Sequence, residues 1–153
     1  MGCSIFKCCK IRTDSKIVLK EKQSSFVLIN QDKKVVSEIA FDGCTEYSYS
    51  GKRCDFILYL KDLAKPSLVF IELKGNNLLK AIKQIEESIE YFNSFSSEKK
   101  YAYSITSKSP ISSSDIQNEK MRLRKKNIIF DTKNRLMEKN YNEEPLANSN
   151  PSK

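Results

Sequence analysis

Three residues in the middle of the chain have the types and spacing for phosphate chemistry. Asp55 stands at the head of the apolar run Phe56-Ile57-Leu58-Tyr59-Leu60. Sixteen residues separate it from Glu72-Leu73-Lys74, which closes a second apolar run, Leu68-Val69-Phe70-Ile71. Continuous apolar runs of this length suit strands covered on both faces. A loop containing Pro66 joins them, so a hairpin brings Asp55 back beside Glu72 and Lys74. The side-chain period of two places Glu72 and Lys74 on one face. Burying such charges without a compensating role costs several kcal/mol per ion. Paired carboxylates are hard oxygen ligands for Mg²⁺ or Mn²⁺. A lysine beside them can position a water or stabilise charge developing on a phosphate. The chain has no histidine, which excludes serine and cysteine triads that use imidazole, His-ligated zinc, haem and histidine phosphotransfer.

The elements that must hold these residues are legible around them. After Gly75-Asn76-Asn77, residues Leu78, Ile82, Ile85, Ile89 and Phe92 step by four, three, four and three, one apolar stripe on a helix over 77–95. Strand-like runs precede the hairpin at 16–20, 25–30 and 34–42, and another follows the helix at 101–106. Ser112 to Asp115 offers an N-cap for a basic helix ending in Arg122, Arg124, Lys125 and Lys126, and a short strand follows near 127–130. The expected fold is α/β: a mixed central sheet from strands near 25–30, 34–42, 53–60, 68–74 and 101–106, flanked by helices. One domain is expected over 16–137. Residues 1–15 show no clear period, and the composition of 138–153 is that of a disordered tail.

Asp55, then Glu72-x-Lys74 after an apolar strand, then an amphipathic helix, resembles the PD-(D/E)XK nuclease superfamily over roughly residues 34 to 106. The resemblance implies a restriction-endonuclease-like core and Mg²⁺-dependent (or Mn²⁺-dependent) hydrolysis of phosphodiester bonds, foremost in DNA, with RNA left open. Carried over, Asp55 and Glu72 hold the metal with the Leu73 carbonyl, and Lys74 acts on the attacking water. Gln84 matches the glutamine that some branches place near the site. Cys54 stands where the motif has proline, and Ser88 stands where those branches have tyrosine. For the usual further glutamate the substitute is Glu38. With strand 34–42 paired to 53–60, Glu38 and Asp42 fall on or near the face of Asp55, depending on register.

The chain carries 27 basic and 19 acidic residues, a net charge of +8, which favours polyanionic partners. The cluster at Arg122, Arg124, Lys125 and Lys126 is the expected contact to DNA phosphates, with the lysines between Lys7 and Lys34 as the other source of positive surface. No apolar stretch approaches the ~18 residues of a membrane span. Five cysteines, an odd number, without an apolar leader run are read as free thiols in a reducing cytoplasm. So short a chain leaves part of the substrate-grasping surface to a homodimer or a larger protein partner. A second reading is a catalytically inactive module of the same fold that binds nucleic acid or a protein, as in regulatory or immunity-type proteins.

Overall fold

The structure, a computed structural model, describes residues 2–63, 65–73, 77–93, 99–107 and 112–142. A turn of 3-10 helix at Gly2–Ile5 leads into β1 (Cys9–Arg12), β2 (Lys16–Glu21), β3 (Ser24–Ile29), β4 (Val36–Ala40), β5 (Phe56–Leu60) and β6 (Ser67–Glu72). Helix α1 (Leu78–Tyr91), β7 (Lys99–Thr106), α2 (Ser113–Arg124), β8 (Ile128–Asn134) and β9 (Leu136–Asn140) complete it.

A mixed six-stranded sheet runs in the order β1-β4-β5-β6-β7-β8. Pairing is antiparallel from β1 to β6 and parallel from β6 to β8, with α1 and α2 as the crossovers. A smaller sheet, β2-β3-β9, pairs β2 with β3 antiparallel and β3 with β9 parallel. Its apolar face, from Ile17, Leu19, Phe26, Leu28 and Met137, packs on Leu58, Val69, Ile71 and Tyr103 of the large sheet. On the other face of the large sheet, Ile57, Leu68, Phe70 and Ala102 meet Leu78, Ile82 and Ile85 of α1 and Leu123 of α2. The central strands are therefore covered on both sides, which is why β5 and β6 are apolar throughout rather than alternating.

Several sequence expectations change here. The strand at 24–29 belongs to the smaller sheet, not to the central one, because its alternating burial supplies only one apolar face. The N-terminal segment contributes the edge strand β1, and residues 136–140, partly assigned to the tail, form β9 with Met137 buried. Strand β8 extends to Asn134. Four cysteines are paired, Cys3–Cys9 and Cys8–Cys44, and only Cys54 is free. The expectation of free thiols fails because the pairing of β1 with β4, with the Ala40 N–H donating to the Cys8 carbonyl, carries Cys8 to the turn that holds Cys44. The 3-10 turn at Gly2–Ile5 folds Cys3 back to Cys9.

Candidate functional site

Register builds the site. Phe56 pairs with Ile71 across β5 and β6, so the next step places Asp55 opposite Glu72 at the end of the hairpin. Both share the parity of Ile57 and Phe70, and so lie on the face toward α1. Glu72 pairs in turn with Ser104 on β7. Asp55 is 4% exposed, Glu72 1% and Ser104 1%. Asp55 Oδ2 accepts the Leu73 N–H at 2.7 Å, which fixes the carboxylate against the neighbouring strand. The Asp55 carbonyl accepts N–H groups from Phe41 at 3.1 Å and Asp42 at 3.5 Å, anchoring the same residue to the end of β4.

Helix α1 holds the peptide just before this pair. The Cys54 N–H donates to Ser88 Oγ at 2.9 Å, and Ser88 Oγ donates to the Gln84 carbonyl at 2.8 Å. Gln84 Nε2 donates to the Arg53 carbonyl at 3.2 Å. Gln84 thus grips the backbone two residues ahead of Asp55. Arg53 reaches the other way: its guanidinium donates to the carbonyls of Phe41, Cys44, Tyr47 and Tyr49 and stacks over the Phe41 ring. The loop from 42 to 52 is therefore folded around one side chain. Burial pushes the Cys54 thiol far above its ordinary pKa, so it packs as a neutral apolar group where the resembled motif has proline.

Asp55 and Glu72 are brought together with Gln84 near them. Glu38 is not. It lies opposite Leu58, on the face turned toward the smaller sheet, where Arg12 Nη1 donates to its Oε1 at 2.6 Å. Its parity along β4 differs from that of Phe41, the residue that meets Asp55, and this excludes it from the pair. Asp42 is exposed in the turn that follows β4. Lys74 lies outside the described residues.

The basic cluster is equally displaced. Ile128 at the start of β8 pairs with Lys100 at the start of β7, whereas Glu72 pairs with Ser104. Arg122 to Lys126 thus sit by the opposite end of the sheet, about 13 Å or more away along the strands at 3.3 Å per residue. Two of the cations are already engaged. Arg122 donates to both Glu86 oxygens, at 3.1 and 2.8 Å, and to Glu119 at 2.8 Å, while Lys126 donates to Glu86 at 2.9 Å. The Arg122 guanidinium holds the Glu86 carboxyl below the usual carboxylate range. Arg124 and Lys125 are exposed. A cleft of about 560 Å³ opens at Lys126, lined by Tyr49, Glu86 and Tyr91 among others, and neither Asp55 nor Glu72 borders it. Tyr47 and Tyr49 pack on Phe41 and Tyr91, and Tyr101 and Tyr103 are buried between the sheets, so these rings act as core.

Sequence reasoning missed the work of Ser88 and Arg53. A serine at a buried position of an apolar helical stripe was the available signal for the first. No family model, curated protein or solved structure matches the chain.

The donor set at the hairpin end suits a hard divalent cation: two buried carboxylates on adjoining strands beside the Leu73 peptide. Among the described residues no group of three or more His, Cys, Asp or Glu is placed to hold a metal.

Proposed function

We propose that the chain is a metal-dependent nuclease of the PD-(D/E)XK type, with a restriction-endonuclease-like core, hydrolysing phosphodiester bonds in DNA. The observation that carries this reading is the placement of Asp55 opposite Glu72, both buried, at the end of an otherwise apolar hairpin. Two carboxylates in that setting are desolvated and repel one another, and a bound divalent cation would offset both effects. Asp55 is held by the Leu73 N–H through one carboxylate oxygen. Bound there, Mg²⁺ or Mn²⁺ would supply Lewis acidity and a more acidic water. Gln84 and Ser88 fix the Arg53–Cys54 backbone and so the approach of Asp55. Lys74, two residues beyond Glu72, is assigned to the attacking water or to the developing phosphate charge.

The alternative, an inactive module of the same fold that binds nucleic acid or protein, retains the carboxylates only as buried polar groups. A Mn²⁺ thermal shift separates the two. Stabilisation should follow RT ln(1 + [L]/Kd) and vanish in Asp55→Asn, and supercoiled plasmid should be cut in Mg²⁺ by the wild type. A metal-independent melting temperature together with uncut plasmid would overturn the nuclease reading. Among the described residues no helix is long and apolar enough to cross a membrane. Disulfides persist in oxidising compartments, so the pairing of Cys8 with Cys44 withdraws free thiols as a support for a cytoplasmic location.

A further inference from the structure

A second set of exposed cations without a partner among the described residues lies away from the sequence cluster. Strand β8 ends at Asn134, paired with Thr106, two residues beyond the row that contains Glu72 and Ser104. The chain then turns at Arg135, whose φ of +71° is left-handed. Its N–H donates to the Thr106 carbonyl at 2.8 Å, and its own carbonyl accepts the Ser25 N–H at 2.8 Å. That second bond stitches the β8–β9 turn to β3. Ser25 is also the register partner of Lys20 and of Leu136. Lys22, at φ +51°, sits in the adjoining β2–β3 turn. Two turns from different sheets are thereby fastened side by side at the carboxylate end of the molecule.

They carry Lys20, Lys22, Lys133 and Arg135, all exposed. Among the described residues none of these four side chains has a hydrogen-bond or ion-pair partner, in contrast to Arg12, Arg122 and Lys126, which are paired. The nearby carboxylates are Glu21, half-buried between two of the lysines in sequence, and Glu138 on the outer face of β9. The balance remains positive. From Glu72, two strands across and two residues along reach Asn134 at roughly 12 Å within the sheet. Lys133, opposite Ile105, and the β2–β3 turn stand on the face away from α1, a further sheet layer of about 10 Å for the turn, so they would meet phosphates beyond the one at the carboxylates.

We propose that the paired β2–β3 and β8–β9 turns form the surface that grips the nucleic-acid backbone, with Lys20, Lys22, Lys133 and Arg135 contacting phosphates flanking the one at Asp55 and Glu72. The assignment rests on the nuclease reading for the identity of the polyanion, and on placement and unpaired charge for the surface itself. Exposed guanidinium and ammonium groups keep their full hydration until a phosphate displaces counterions, so they contribute salt-dependent, sequence-independent affinity. Arg122 and Lys126 must first give up Glu86.

The test is a salt titration of binding to a fluorescent DNA duplex in Ca²⁺. It uses the full chain, Lys20→Gln/Lys22→Gln, Lys133→Gln/Arg135→Gln, their combination, and Arg124→Gln/Lys125→Gln. Each lost duplex phosphate contact removes about 0.9 from the slope of log K against log salt. The combined variant should be shallower by about two to four units, each turn alone by one to two, and the Arg124/Lys125 variant by less than either. Far-UV circular dichroism and melting temperature check that each variant is folded; should Arg135→Gln melt early, Lys133→Gln with Lys20→Gln and Lys22→Gln keeps the test open. An unchanged slope in the turn variants, a larger loss in the Arg124/Lys125 variant, or absence of duplex binding by the wild type would overturn the assignment. Plasmid cleavage in Mg²⁺ is measured separately. A wild type that cuts but whose slope ignores the turns refutes the surface alone. One that binds through the turns without cutting refutes the nuclease reading alone.

Discussion

The two ends of the central sheet handle charge in opposite ways. At one end Asp55 and Glu72 are buried, while the cations carried by the β2–β3 and β8–β9 turns stand exposed and, among the described residues, without a partner. At the other end two of the four cations in the densest basic run of the sequence, Arg122 and Lys126, are folded against Glu86 and Glu119. A local density of positive charge therefore says little about where a polyanion will sit. The distribution of counter-charges, which only the fold assigns, decides which cations remain available.

The sharpest way to break the contrast is at the carboxylates. Asp55→Asn and Glu72→Gln should each lower metal-dependent cleavage by at least a hundredfold, the scale of losing one electrostatic contact to a transition state. Asn can still accept the Leu73 N–H, so melting temperature should hold within a few degrees. Purified variants that cut at wild-type rate would remove the chemistry from this end of the sheet.

The disulfide behind the site comes next. Cys8–Cys44 closes 36 residues and ties down the loop that Arg53 organises. Its loss in Cys8→Ser/Cys44→Ser should cost about 3–4 kcal/mol in urea unfolding, from chain entropy. Equal stability of the wild type with and without dithiothreitol would show that the link contributes nothing.

A smaller effect is expected at Ser88, which is fully buried. Ser88→Ala strips the Cys54 N–H of its acceptor, a loss of about 1–3 kcal/mol for an orphaned buried donor, and should lower cleavage by displacing Asp55. Ser88→Thr, which retains an acceptor, should recover part of the rate. Recovery of stability without rate would assign Ser88 to packing alone.

The smallest effect sharpens the comparison from the other end. Glu86→Gln frees Arg122 and Lys126. Stability should fall by less than about 1 kcal/mol, as for other partly exposed pairs, while the salt slope of duplex binding grows steeper. Because Arg122 depresses the folded-state pKa of Glu86, its contribution is present above the ordinary carboxylate value near 4.3 and is lost as pH falls through the lower folded value. The acid limb of a melting-temperature profile should therefore shift in wild type relative to Glu86→Gln. Superimposable profiles would show the pair to be thermodynamically silent.

The hairpin and α1 were legible because their signals are local: two apolar runs, a turn and a stripe of period 3.6 place strands at 53–60 and 68–74 and a helix at 77–95, against the observed Phe56–Leu60, Ser67–Glu72 and Leu78–Tyr91. Asp55 facing Glu72 followed from that hairpin alone. Glu38 was misplaced because its face depends on pairing parity between β4 and β5, and a single-residue change of register inverts it. Strand β9 was hidden because Glu138, Lys139 and Asn140 read as tail. Only tertiary pairing with β3 turns that polar stretch into a strand, with Lys139 Nζ donating to Asp131 Oδ2 at 3.2 Å. The disulfides escaped notice because cysteine spacing in sequence does not reveal which loops the sheet brings together.

The parallel pairing of β3 with β9 has a consequence for how the protein comes into being. Ser25 must find Leu136, so a strand made early waits for one made more than a hundred residues later. While the polypeptide emerges from the ribosome, the β2–β3 hairpin exposes Phe26 and Leu28 on an edge with no neighbour. The large sheet can assemble meanwhile, but its inner layer stays open until Met137 arrives. A nascent chain stalled before β9 would present a sticky, half-covered ribbon, the kind of species that chaperones hold and that aggregates when they do not.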